Sequence, residues 1–388
     1  MSARRDVAIV GGGLIGSALA VALRKAGFDA LLLDRGPAAA PPPPADELRV
    51  YAVTPTASQW LDSLGAWAGV KDAACVYEGM QVWEQDAKAG LAFSADELGV
   101  PALGSIVPNG RLLAALRGLL PREAVRGDCE VAQIELAGGA PHLELAGGER
   151  IRARLVVCAE GADARLREQA GIEVSGWAYP QRAIVCNVRT ELAHRRTAWQ
   201  RFLPGGPLAF LPLADGRCSI VWTAEETAAA NLLDMPDPLF RRRLGEAFQE
   251  RLGEILEVTP RLSFPLRLQH AERYVVPGFA LVGDSAHALH PLAGQGVNLG
   301  FADAETLVRV LAEARAARRD ICAERTLRRY ERARKAENLE MLALTDGLHR
   351  LFRAGGMAEP LRRVGLEAVA ASGLLRRSLA RRALGSAG

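Results

Sequence analysis

Lysine is almost missing from this chain. Only Lys25, Lys71, Lys88 and Lys335 occur, and arginine supplies the rest of the basic charge. The net charge is +3 over 388 residues, too small to select nucleic acid as a partner. Cysteine is sparse and scattered, at 75, 129, 158, 186, 218 and 322, with no CxxC pair. That spacing excludes a disulfide framework or a cysteine zinc site and fits reduced thiols in a cytoplasmic protein. No nucleophilic triad is recognisable, and His287 and His290 lack a third ligand at metal-binding spacing, so no metal is expected. Internal repeats are missing too. The one long uncharged run, 7–23, follows Arg4-Arg5 and imitates a signal peptide or short membrane helix. Three consecutive glycines at 11–13 weaken such a helix, and no small-residue cleavage site follows. The chain is therefore expected to be soluble.

What is present is an ordinary globular composition, 49% hydrophobic and 24% charged, long enough for about two to three domains. Apolar patterning predicts a strand at 6–10, a glycine turn, a helix at 14–26 and a second strand at 30–33. A proline-rich loop follows at 36–44. Helices are expected at 56–67 and 109–120, a short β excursion at 76–93, and buried strands at 151–158 and 279–282. Between 184 and 223 apolar and polar residues alternate with Gly/Pro turns, the pattern of an antiparallel sheet. From 297 onward the chain reads as helix. Strands from both ends thus join one nucleotide-binding layer built from 1–75, 98–178 and 269–335. A second lobe comes from 76–97 and 179–268, and 336–388 forms a helical C-terminal region.

Two glycine-rich turns carry the chemistry. Gly11, Gly13 and Gly16 fit GxGxxG between a strand and a helix, where backbone N–H groups and the helix dipole can hold a pyrophosphate. Asp34, at the end of the next strand, is placed to bind ribose hydroxyls. This pattern alone leaves FAD and NAD both open. In the second turn, a buried strand delivers Gly283-Asp284. A glycine-rich stretch containing Gly294 and Gly296 then leads into a helix beginning near Val297. A helix N-terminus with bare N–H groups can stabilise the negative charge of a reduced flavin, and Asp284 can accept hydrogen bonds from ribityl hydroxyls.

Together, GxGxxG and Gly283-Asp-Ser-Ala-His287-Ala-Leu-His290-Pro291-Leu-Ala-Gly294-Gln295-Gly296-Val297-Asn298 resemble the FAD-dependent aromatic hydroxylases of the para-hydroxybenzoate hydroxylase fold. Ala198-Trp-Gln-Arg-Phe-Leu-Pro204-Gly-Gly-Pro207-Leu-Ala-Phe-Leu-Pro212-Leu and Ser219-Ile-Val-Trp222-Thr are similar to the ubiquinone-biosynthesis branch of that family. The resemblance covers essentially the whole chain. It implies an α/β fold: a Rossmann-like FAD-binding domain, an inserted antiparallel β-sheet substrate domain and a helical C-terminus. It also implies that reduced FAD reacts with O2 to form a flavin C4a hydroperoxide, which hydroxylates the ring of a polyprenylated phenol. NADPH or NADH is the implied electron donor. Pro291, Gly294, Gln295, Gly296, Val297 and Asn298 fall in the implied flavin loop. Arg49 and Asn109 match flavin-contacting positions, and Arg35 is an adenosine-side neighbour. Phe202, Phe210 and Trp222 are candidates to line the substrate pocket. The family's middle motif, Ala-Asp-Gly-x-x-Ser-x-x-Arg, is changed here to Ala159-Glu160-Gly161-Ala-Asp163-Ala164-Arg165-Leu-Arg167, which bears on flavin reduction.

From Arg309 to the end there are 18 Arg and Lys against 9 Asp and Glu. Arginine doublets among apolar residues at 361–384 suit a helix covering the core, contact with an anionic membrane, or docking to other ubiquinone-biosynthesis proteins. Two other readings stay open: a non-catalytic FAD-holding component of that assembly, and a prenyl reductase on the same fold. A flavin halogenase is disfavoured because its WxWxIP motif is missing.

Overall fold

A computed structural model describes residues 4–40, 47–84, 90–136, 141–289 and 295–353. The first strand, β1 (Arg5–Val10), turns at Gly11–Gly13 into α1 (Leu14–Lys25) and returns as β2 (Ala30–Leu33). The turn demands glycine on steric grounds. Gly11 sits at φ +109°, and a Cβ there would meet the Ala159 carbonyl oxygen at 2.3 Å; one on Gly16 would meet the Gly11 oxygen at 1.9 Å. A small antiparallel sheet follows, in which β5 (Gly104–Pro108) lies between β3 (Val50–Val53) and β4 (Cys75–Tyr77). The helix α2 (Asn109–Gly118), β6 (Val125–Arg126), β7 (Arg150–Cys158) and α3 (Arg165–Gln169) come next.

The chain then enters a second sheet through β8 (Val174–Thr190), β9 (Thr197–Leu203), β10 (Gly206–Pro212) and β11 (Cys218–Glu225). Helices α4 (Glu226–Asp234) and α5 (Asp237–Ala247) cover one face before β12 (Leu262–Ala271) and, later, the two-residue strand His287–Ala288 extend the sheet. Finally β13 (Phe279–Leu281) rejoins the first sheet, and α6 (Gly296–Ala316) and α7 (Glu324–Arg353) pack behind it.

The first sheet has its spine in the order β13-β7-β1-β2-β6, all parallel, with antiparallel additions outside β13 and β7. Because helices and loops cover both faces, β1, β2 and the end of β7 are continuous apolar runs and not alternating ones. Among the described residues the second sheet has nine strands, and successive side chains along each strand take opposite faces. Ile184, Cys186, Leu208, Phe210, Ile220 and Trp222 point to one face and pack on Ala229, Leu232, Phe240 and Leu244 of α4 and α5. The opposite face looks toward the first sheet and the β3–β5 layer.

Strand membership interleaves the two lobes along the chain. The second sheet draws on Gly79–Glu84 and Leu91–Ser94 as well as β8–β12. Three of the expected boundaries fall inside single elements. That at 178/179 lies within β8, at an irregularity in its pairing between Ala178 and Arg182, and that at 268/269 lies within β12, where Leu268 and Gln269 both pair with β8. The one at 335/336 falls inside α7, a single 30-residue helix. The basic stretch at 361–384 lies outside the described residues. Among the described residues, no helix is long and apolar enough to cross a membrane, and no cluster of side chains could hold a metal ion.

Candidate active site

At the first turn, Gly12 and Gly13 face opposite ways. A Cβ on Gly13 would meet nothing within 4 Å, whereas one on Gly12 would run into the Arg117 guanidinium at 1.8 Å and the Asp34 carboxylate at 2.1 Å. One side of the turn is thus open for a ligand to lie against bare backbone, and the other is filled by an ion pair. Arg117, on α2, is buried. It donates to the Gly12 carbonyl at 2.7 Å, to Ser17 Oγ at 2.9 Å and to the Ala38 carbonyl at 3.0 Å, and it pairs with Asp34. The other Asp34 oxygen accepts the Gly36 N–H at 3.3 Å. Each carboxylate oxygen can accept more than one hydrogen bond, so Asp34 keeps capacity for a ribose hydroxyl. Arg35 is exposed beside it.

At the second turn, Gly283 takes φ +60° and donates its N–H to Asp303 Oδ2 at 3.1 Å. Asp284 remains accessible to solvent although protein surrounds it on most sides, as on the wall of a recess. That crowding pushes its carboxyl above the usual range, against the pull of His287 and Arg49. Gly296 opens α6, and a Cβ there would meet nothing within 4 Å. Gly300, one turn on, is crowded: a Cβ would meet Ile15 Cδ1 at 2.7 Å. Asn298 clamps the end of β3, accepting from Thr54 N–H at 3.0 Å and donating to the Ala52 carbonyl at 2.8 Å. Gln295 sits at the helix cap, and Val297 packs into the core beneath. Pro291 and Gly294 lie outside the described residues.

The clamp matters because β3 and the residues before it carry Arg49 and Tyr51. Arg49 is exposed, with its guanidinium 5.5 Å from the Tyr51 ring centre. Asn109 donates its backbone N–H to the Arg49 carbonyl at 2.9 Å, and Gly110 N–H reaches Glu47 Oε1 at 2.6 Å. Burial pushes the Glu47 carboxyl up, opposed by those donors and by Arg49 and Arg111. The two glycine turns are each open on one side, at Gly13 and Gly296, and each has a carboxylate beside it, Asp34 and Asp284, so these residues could hold the two ends of a dinucleotide-sized cofactor.

Comparison with known proteins agrees. Residues 4–343 match the family model described as FAD binding domain. The 3-demethoxyubiquinol 3-hydroxylase of Escherichia coli is 37% identical, over 98% of both chains, and ubiquinone hydroxylase UbiL of Rhodospirillum rubrum is 36% identical, over 98% of this chain and 90% of that one. The chain belongs to the FAD-dependent ubiquinone-biosynthesis hydroxylase family. In fold it is similar to p-nitrophenol 4-monooxygenase PnpA from Pseudomonas putida DLL-E4, with a TM-score of 0.79 at 20% identity over 99% of each chain. These relatives are flavin-dependent hydroxylases, and this chain is a flavin monooxygenase of that kind.

Around the flavin cradles the structure adds residues that motif reading passes over. Beneath Gly283, the buried Asp303 of α6 accepts from His287 Nε2 at 2.6 Å, from Arg334 Nε at 2.8 Å and from Asn338 Nδ2 at 3.2 Å. Burial opposes ionisation of Asp303, but His287 and Arg334 more than offset it and hold the carboxyl below its ordinary range. Asn338 also reaches Tyr274 OH at 3.2 Å, and Tyr330 OH donates to the Leu281 carbonyl at 2.7 Å. His287 is therefore structural: it ties the Gly283-Asp284 turn to α6 and α7. The sequence signal for Arg117 and Arg334 would have been arginines inside otherwise apolar helical stripes.

The middle motif explains its own departures. Ala164 is buried at the N-cap of α3 and offers no side-chain cap, but Glu160 Oε2 accepts the Leu166 N–H at 3.1 Å. The longer acid does the capping that a serine hydroxyl at 164 would do. Ser285 and Gly161 exchange hydrogen bonds at 3.0 and 3.1 Å, and Arg167 donates to the Ser285 carbonyl at 3.1 Å. The changed motif therefore still grips the Gly283-Asp284 turn.

Two expected pocket residues are corrected. Phe210 stacks on Phe248 at 3.7 Å, and Trp222 lies against Phe240, both on the face packed on α4 and α5. The register places Trp199 opposite Phe210 and Leu208 opposite Trp222, which fixes them all on that helix side. Phe202, of opposite parity to Trp199 and Arg201, faces the other way.

On that other face lie three cross-strand rows. Val185, Val221, Ala209 and Gln200 form the middle row. All four are only half-buried although they sit mid-sheet, so this row floors a recess. The face meets both cofactor segments. Asn187 Nδ2 donates to the Glu47 carbonyl at 3.2 Å, Leu211 packs with Val50 and Ala52, and Val221 packs in one cluster with Leu289.

Proposed function

We propose that this protein hydroxylates the aromatic ring of a polyprenylated phenol during ubiquinone biosynthesis. The observation that carries the reading is the half-open apolar row Val185–Val221–Ala209, set between the segment bearing Arg49 and the segment entering the flavin loop. Such a floor suits a flat ring with an apolar tail. When bound, FAD supplies the electron transfer and oxygen activation. The chain's residues bind and orient. Gly11, Gly13, Gly16 and Asp34, with Arg35 outside, hold the adenosine and pyrophosphate end. Gly283, Asp284, Gln295, Gly296 and Val297 hold the flavin end, with Arg49 and Asn109 along its edge and Asn298 fixing β3 beside it. Pro291 and Gly294 belong to the same proposed loop. Phe202 closes one end of the recess. Molecular oxygen is the co-substrate, and NADPH or NADH is the electron donor. The relatives' names support the substrate class: the Escherichia coli protein is a 3-demethoxyubiquinol 3-hydroxylase. A cytoplasmic chain working on so apolar a substrate needs a membrane surface or a partner protein of the same pathway to deliver it.

Quinone-intermediate profiling in cells lacking the protein tests this. A prenylated phenol one hydroxylation short should accumulate and vanish on return of the wild type but not of Asp284→Ala. An unchanged quinone profile would contradict the reading.

A further inference from the structure

The recess has two unlike ends. In the row on one side of Val185–Val221–Ala209, Asn187 and Ser219 are direct cross-strand partners, followed by Leu211. Both polar residues are 1% exposed, and Asn187 Oδ1 and Ser219 Oγ are buried with no hydrogen-bond partner. An unmet buried acceptor and an unmet buried hydroxyl each carry an uncompensated desolvation penalty, so two on directly paired residues of adjacent strands call for an explanation. The Asn187 carboxamide cannot simply turn to relieve itself, because its Nδ2 is held by the Glu47 carbonyl at 3.2 Å. That bond fixes Nδ2 on Glu47 and leaves Oδ1 as the side chain's unpartnered acceptor. The row at the other end, Ala183, Thr223, Pro207 and Phe202, holds one more unmet atom, Thr223 Oγ1, but no second polar side chain beside it.

We infer that Asn187 and Ser219 are the specificity-determining pair that recognises a free phenolic hydroxyl on the substrate ring. The inference rests on the substrate reading above. A phenolic hydroxyl is both donor and acceptor. Its proton satisfies Asn187 Oδ1, and its oxygen accepts the Ser219 O–H, so one group answers both orphans. A methyl ether or a ring carbonyl can only accept and would leave Asn187 Oδ1 unmet. A hydroxyl fixed at this end places the ring flat over Val185, Val221 and Ala209. It thereby selects which ring carbon faces the flavin, while the tail leaves from the rest of the recess. Rejection of the analogue lacking the proton is the expected strong form of discrimination, because the site's own buried group is left unpaired.

The test uses FAD-loaded protein and two probes, a short-tailed polyprenylated phenol and its O-methyl ether, with binding read from perturbation of the flavin absorbance. Wild type should prefer the phenol by about ten-fold or more. Ser219→Ala should reduce that preference to within about three-fold while flavin content stays at wild-type level, and Asn187→Leu, which also removes the bond to the Glu47 carbonyl, should reduce it equally when read on the flavin-loaded fraction. Thr223→Val should leave it unchanged. Should one variant fail to fold, the other carries the test. A preference that survives in a folded variant, a wild type indifferent to methylation, or a loss confined to Thr223→Val would overturn the assignment. If wild type hydroxylates neither probe nor any longer-tailed phenol, the substrate reading itself fails, which is a separate result.

Discussion

At the scale of single residues, the glycines divide by what lies on their empty side. Gly11 and Gly16 are empty because backbone passes within about one atom of them, Gly12 because Arg117 and Asp34 occupy the space, and Gly13 because nothing does. Motif reading finds Gly11, Gly13 and Gly16 but cannot separate these reasons, and it passes over Gly12, because the residue that fills the space there stands 105 positions away. Asp284 was legible as a candidate cofactor residue from its place after a buried strand. Asn187 and Ser219 were not legible as a pair: they look like ordinary polar positions in two alternating strands, and only the register shows that they oppose each other. Asp284→Ala should leave a folded protein whose melting temperature in the absence of flavin is within a few degrees of wild type, while flavin affinity falls at least ten-fold. Equilibrium dialysis against FAD together with thermal unfolding of the apoprotein checks both halves.

At the scale of elements, α6 reads from its first turn to its second as a change of role. Gly296→Val adds a side chain on an open side, so it should lower flavin binding and turnover much more than stability. Gly300→Val drives a side chain into Ile15 and Gly283, so it should cost about 1–3 kcal/mol of stability. Urea midpoints and flavin content for the pair separate the two roles. The first half of α7 pins the turn at Gly283 through Tyr330, Arg334 and Asn338, a function invisible in helical periodicity because it depends on Asp303 and the Leu281 carbonyl across the interface. The same layer holds His270, whose Nε2 lies 3.0 Å from Tyr274 OH and whose pKa is pulled by burial, Lys335 and His287 to about 4. The unfolded chain protonates this histidine near 6.5 and the folded chain does not, so the unfolded state binds more protons between those values. Stability should therefore fall as pH drops from about 6.5 toward 4, with His270 contributing at most about 1.4 kcal/mol per pH unit. His270→Gln should flatten the pH dependence of the urea midpoint across that window; an unchanged slope would remove His270 as its source.

At the scale of the whole molecule, the sequence carried the fold class well. Two buried parallel strands around a glycine turn, and an alternating block between them, are patterns set by local burial alone. The sidedness of that block was not readable. Alternation says that Phe202, Phe210 and Trp222 have fixed sides, but the side facing the flavin is decided by α4 and α5 covering the other, 226–247, later in the chain. With the recess floored by apolar side chains, longer prenyl tails should bind tighter, by at most about 0.8 kcal/mol for each methylene newly buried. Titrating FAD-loaded protein with phenols of increasing tail length measures this, and equal affinity for tailless and prenylated phenols would return the pocket to small soluble aromatics.

On the proposed function, this chain inserts one atom of dioxygen into a prenylated phenol. Incubating FAD-loaded protein with NADPH or NADH, the phenol and isotopically heavy dioxygen tests it most directly. The product should be one hydroxyl richer, with the heavy label in that hydroxyl. Label appearing only in hydrogen peroxide or water, with the phenol returned unchanged, would contradict it.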